Sequence, residues 1–177
     1  TPVPYALRNG TNWTLQASQQ AVKARLFCSY LDGANVTTYG NACGSASGQI
    51  GTAFTNEEPL NGNSAFKIEG SGFASGSLAV LVVGWDPFWV SQPVPGFPLG
   101  CEQHTDALAA TFGVVGTGNV RSNITTGALG HVTFNFSLPP VPAFIGVFLS
   151  TQIAGQDVLN PAPIPFVLSN AVRFVVQ

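Results

Sequence analysis

Hydrophobic positions recur at every second residue over much of the chain, or gather in runs too short for a helix, and glycine and proline interrupt them at short intervals. The clearest alternation is His131–Leu138. Val132, Phe134, Phe136 and Leu138 fall on one side of an extended backbone, and His131, Thr133, Asn135 and Ser137 on the other. This pattern predicts a strand with an inward apolar face and an outward polar one. Leu78–Val83 is apolar on both sides, which predicts a central strand covered on both faces. Further strands are expected at Trp13–Gln16, Val22–Leu31, Ala65–Glu69, Ala110–Val115, Ile145–Gln152 and Asn170–Val176, with tight turns at Asp32-Gly33 and Asn61-Gly62. Only Gln103–Ala110 looks helical, and it is short. Many short strands with frequent turn signals define an all-β protein, an antiparallel β-sandwich of immunoglobulin-like or jelly-roll-like kind preceded by an extended N-terminal segment.

Two stretches organise this pattern. Gly40–Gly51, rich in Gly, Ser and Ala, reads as a loop that separates an N-terminal segment (1–38) from the sandwich (39–177). Pro87–Cys101 is too rich in proline for a strand and reads as a long excursion pinned by its own side chains. No internal repeat is evident.

Composition narrows the function. The chain has 177 residues, of which 8% are charged, against about 25% in an ordinary soluble domain. Six Lys and Arg with a net charge of -2 exclude a phosphate-tracking nucleic-acid surface and a polybasic membrane anchor, since both need clustered cations. The longest apolar run, Leu78 to Gly84, is strand-sized, so no membrane-spanning helix is expected. A chain that begins at Thr1 and contains no Met reads as the mature product of a secreted precursor. The sequons at Asn9, Asn12, Asn35, Asn123 and Asn135 are best read as chance matches in a sequence rich in Asn, Thr and Ser. Cys28, Cys43 and Cys101 allow three different single bridges. An oxidising compartment pairs two of them and leaves the third buried, free or joined to another chain.

From Tyr39 onward the landmarks run in a particular order: Tyr39-Gly40-Asn41-Ala42-Cys43-Gly44-Ser45, Phe66-Lys67-Ile68-Glu69-Gly70, Leu78-Ala79-Val80-Leu81-Val82-Val83-Gly84, Leu99-Gly100-Cys101, Gly127-Ala128-Leu129-Gly130, Phe134-Asn135-Phe136-Ser137-Leu138-Pro139, Gly146-Val147-Phe148-Leu149-Ser150-Thr151-Gln152 and Leu168-Ser169-Asn170-Ala171-Val172-Arg173-Phe174. This order resembles a C-terminal β-sandwich module of secreted proteins from planctomycete- and myxobacteria-like bacteria, over Tyr39 to Gln177. The resemblance implies a secreted, non-catalytic module. It also implies a bridge between Cys43 and Cys101, which stand at its Gly-x-x-Cys and Gly-Cys positions. The chain departs from that pattern in having only Thr1–Thr38 in front of the module, and in carrying Cys28.

Several clusters are candidates for chemistry. Glu102, His104 and Asp106 share a face if the backbone is extended, and form a weak metal-ligand set with no fourth ligand nearby. A hydrolase would need a set such as Ser75, His104 and Asp106, but Gly44–Gly48 and Gly72–Gly76 both miss the Gly-x-Ser-x-Gly elbow by one place. Glu57-Glu58 are adjacent and point apart, which does not suit a glycosidase pair. No cofactor is implied. Trp85, Phe88 and Trp89, next to Asp86, form a possible sugar platform for a polysaccharide, or else a cap on the end of the sandwich that anchors the proline loop. In Thr1–Leu7 the prolines favour an extended chain, and Val3, Tyr5 and Leu7 alternate. Such a strand suits addition to the sheet edge of a second copy. The sequence thus points first to a secreted, non-enzymatic structural subunit at the cell surface that assembles into a filament by strand donation, and second to a carbohydrate-binding or adhesion module.

Overall fold

A computed structural model describes residues 4–9, 12–17, 35–86, 89–115 and 130–177. Val3, Cys28, Phe88, the strand expected at Val22–Leu31 and the turn at Asp32-Gly33 lie outside these residues. The chain divides into two units, Thr1–Asp32 and Gly33–Gln177. In the first, β1 (Pro4–Asn9) pairs antiparallel with β2 (Asn12–Ala17), in register from Pro4 opposite Ala17 to Asn9 opposite Asn12.

The second unit is an antiparallel β-sandwich. Its larger sheet has five strands in the order β3 (Val36–Tyr39), β12 (Phe166–Val175), β11 (Phe148–Gln156), β6 (Leu78–Gly84) and β9 (Ala109–Val114). The smaller has β10 (His131–Asn135), β5 (Lys67–Ser71) and β4 (Thr52–Thr55). A minimal pair, β7 (Gln92–Pro93) with β8 (Glu102–Gln103), closes the base of the proline-rich excursion. The unit begins before the expected boundary, because Val36–Tyr39 is hydrogen-bonded along β12 from Phe174 to Ala171. The helical look of Gln103–Ala110 is not realised. That stretch leaves β8, turns through Ala107 at φ 48° and enters β9, and a single 3-10 turn, Pro142–Phe144, is the only helical element among the described residues.

The core forms where the pleat directs alternate side chains between the sheets. Ile68, Val132 and Phe134 of the smaller sheet face Ala79, Leu81, Ile153, Val172 and Phe174 of the larger, all buried. Phe66, Phe136 and Phe174 add edge-to-face ring contacts with centroids 5.1 to 6.3 Å apart. His131 lies on the opposite side of its strand from Val132 and Phe134, as the alternation predicts, yet is only 4% exposed, with Nε2 3.8 Å from Glu69 and its ring edge-on to Phe54. One expectation needs correction. Leu78–Val83 is an inner strand covered fully on one face only: Ala79 and Leu81 are buried, Val80 and Val82 half-buried.

One edge of the sandwich is closed by a side chain. Asn170 Oδ1 accepts from the Ala53 N–H (2.9 Å), and Asn170 Nδ2 donates to the Ala53 carbonyl (3.0 Å), so an amide completes the outer side of β4 as a paired strand would. Asn170→Ala is expected to cost about 1–3 kcal/mol, the penalty for leaving buried partners unmatched. Urea unfolding of the variant checks this.

Candidate functional site

The functional candidates sit on the face of the larger sheet that is turned away from the core, and on the excursion that covers it. Cys43 and Cys101 are joined by a disulfide, the pair implied by the resemblance. Cys43 is also fixed to β12, donating its N–H to the Leu168 carbonyl (3.0 Å) and accepting from the Leu168 N–H at Sγ (3.0 Å). The bridge therefore ties the excursion to the middle of the sheet.

Beside the bridge lies a buried polar network centred on His104, which is 1% exposed. Its Nε2 faces the Asn41 carbonyl at 2.9 Å and its Nδ1 faces Ser91 Oγ at 2.6 Å. A carbonyl only accepts, so Nε2 carries the proton; in the neutral ring Nδ1 then accepts from the Ser91 hydroxyl. The His104 N–H donates to Gln152 Oε1, and Gln152 Nε2 donates to the carbonyls of Glu102 and Ser169. Thr105 and Ser150 share a hydroxyl hydrogen bond of 2.6 Å. Every polar atom named here has a partner, which is what makes burying this network tolerable.

This geometry disperses the sites read from sequence. Glu102 is exposed, His104 is buried with both nitrogens engaged, and Asp106 rests against the backbone of Gly84. No group of three metal-ligating side chains converges among the described residues. The reason is local: the extended backbone ends at Gln103, so the two-residue period that would align Glu102, His104 and Asp106 is broken. His104 is paired with Ser91, not with Ser75, which lies exposed in the loop before β6. Of the aromatic trio, Trp89 is half-buried and donates Nε1–H to the Gln103 carbonyl (3.2 Å), anchoring the excursion, whereas Trp85 is 63% exposed. Sequence reasoning gave no role to Ser91, Asn41 or Gln152, whose convergence on His104 no local spacing signals.

Two features remain accessible. A cavity of about 270 Å³ lies between the sheet and the excursion, lined by Val80, Val82, Phe166 and Leu168 below and by Val94 and Phe97 above. Next to it runs β9, which among the described residues ends its sheet and pairs only with β6. Ala109, Ala110, Thr111 and Phe112 are all exposed, Phe112 by 70%, and the strand carries no charge. Phe112 stands opposite Val80 and Ala110 opposite Val82, so the apolar surface continues from the cavity to the free edge.

Fold and site together define an all-β protein: an antiparallel sandwich with a disulfide-pinned excursion over one sheet face. Comparison with known family models, curated proteins and solved structures finds no match to this chain. No helix among the described residues is long and apolar enough to cross a membrane.

Proposed function

We propose that this protein is a secreted, non-enzymatic assembly subunit whose β9 edge accepts a strand from the β1–β2 hairpin of a second copy. The observation that carries the reading is β9 itself. Natural sheets protect their edges with charge, proline, bulges or covering segments, and among the described residues β9 has four consecutive exposed positions with none of these. The other accessible edges are less suited. β4 is sealed by Asn170, β3 has four residues, and β10 exposes only Asn135. On the donor side, a two-stranded pair such as β1–β2 is marginal in water and gains from a third strand. Tyr5 and Leu7 lie on its first strand, where Val3 would extend the same alternation. The disulfide and the low charge content support an extracellular setting.

Size-exclusion chromatography with light scattering and negative-stain imaging test this. The full chain is expected to form large species, and a chain lacking residues 1–9 to remain monomeric. Phe112→Lys, at an exposed position, is expected to block assembly while leaving the unfolding free energy within about 0.5 kcal/mol of the parent. Normal assembly by both variants sinks the reading. A carbohydrate-binding role remains the second reading, and the exposed face of Trp85 favours it. Trp85→Ala would then lose polysaccharide retention.

A further inference from the structure

Arg173 lies on β12 and points away from the inter-sheet core, opposite Thr37 of β3 on one side and Ser150 of β11 on the other. Its guanidinium carbon sits 4.2 Å from the centroid of the Tyr39 ring and 5.3 Å from that of Phe148. The rings come from the two flanking strands, so they hold the guanidinium from both sides. Tyr39 is itself fixed, because its hydroxyl donates to the His104 carbonyl. Arg173 Nε is buried and has no hydrogen-bond acceptor among the described residues. The chain has eight acids against six Lys and Arg, yet among the described residues the one close acid–base pair is His131 with Glu69. The two positions flanking Arg173 hold Thr37 and Ser150, where a carboxylate would have neutralised it.

A half-buried guanidinium with aromatic walls and no counter-ion among the described residues is oriented for an acceptor from outside. The walls limit approach to the edge of the fork. With Nε buried, the two terminal amino groups remain, and their spacing matches the two oxygens of a carboxylate. The exposed Thr37 hydroxyl beside it suits a hydroxyl of the same ligand. We propose that Arg173, walled by Tyr39 and Phe148, binds the carboxylate of an acidic sugar of the uronate class. The site uses no residue of β9 and is independent of the assembly reading.

The test follows the Arg173 Nε–H resonance of the ¹⁵N-labelled full-length Phe112→Lys chain, which is monomeric whether or not the parent assembles through β9, during titration with trigalacturonate, acetate and maltotriose. A saturable shift is expected with trigalacturonate, about tenfold weaker binding with acetate, and no shift with neutral maltotriose. Arg173→Lys keeps the charge and removes the fork. Followed on the Thr37 and Tyr39 amides, it is expected to bind trigalacturonate about tenfold more weakly, as loss of a charge-assisted bond implies. Phe148→Leu keeps Arg173 but removes one wall, and a several-fold weakening is expected even if the arginine variant does not fold. The proposal is overturned if trigalacturonate gives no saturable shift, if acetate binds as tightly, or if maltotriose shifts the signal equally. A shift that depends on protein concentration without any sugar overturns it too, by identifying a carboxylate of a second copy as the partner.

Discussion

Replacing Cys43 and Cys101 together by alanine is expected to lower the unfolding free energy by about 4 kcal/mol. The two residues are 58 apart in sequence, and closing a loop of that length removes this much chain entropy from the unfolded state. For a domain of this size the loss corresponds to a fall in melting temperature of roughly 8–16 °C. A smaller local effect adds to it, since the Leu168 N–H loses its contact with Cys43 Sγ. Comparing the oxidised parent with the same protein under reductant separates the cross-link from packing, because reduction leaves both sulfur atoms in place. A loss below about 1 kcal/mol in both experiments would mean that the His104 network alone holds the excursion to the sheet.

The second large effect is expected at Phe73. Its ring is 1% exposed and occupies a slot walled by glycines. A Cβ at Gly155 would stand 2.1 Å from Phe73 Cδ1, one at Gly51 2.5 Å from Cε1, and one at Gly70 2.9 Å from Cε2. Three backbone segments thus approach the ring more closely than any other residue type permits. Phe73→Ala empties that slot and is expected to cost about 3–5 kcal/mol, because a rigid surround cannot collapse into the space. Gly155→Ala is expected to cost about 1–3 kcal/mol by overpacking. Combining Gly155→Ala with Phe73→Leu is expected to cost less than the sum of the single changes, since the smaller side chain makes room for the methyl group. Strict additivity in chemical denaturation would show that the two residues do not share one packing site.

The all-β class was legible because its signal is local. Alternation over His131–Leu138 places Val132, Phe134 and Leu138 in the core, where they are found buried. Strand bounds moved where flanking residues decide them. β11 starts at Phe148 and runs on to Gln156, and β12 starts at Phe166, ahead of the expected Asn170. β4 was not anticipated: Thr52–Thr55 is short and follows a glycine- and serine-rich run, and only its pairing with β5 makes it a strand. The candidate site was harder to read, for a physical reason. His104 meets Ser91, Asn41 and Gln152 at sequence separations of 13, 63 and 48. No spacing rule spans such distances. The orientation of Arg173 between Tyr39 and Phe148 is equally non-local, because it depends on the register of three strands.

The amide of Asn170 against Ala53 bears on more than stability. With β4 closed, β3 only four residues long and β10 exposed only at Asn135, the described residues of each sandwich leave one open place for an incoming strand. Rows built by edge addition would then be unbranched and have unlike ends. A copy with β9 blocked and its hairpin intact would join such a row and stop it from lengthening, so traces of Phe112→Lys mixed with the parent would set the length of the polymer.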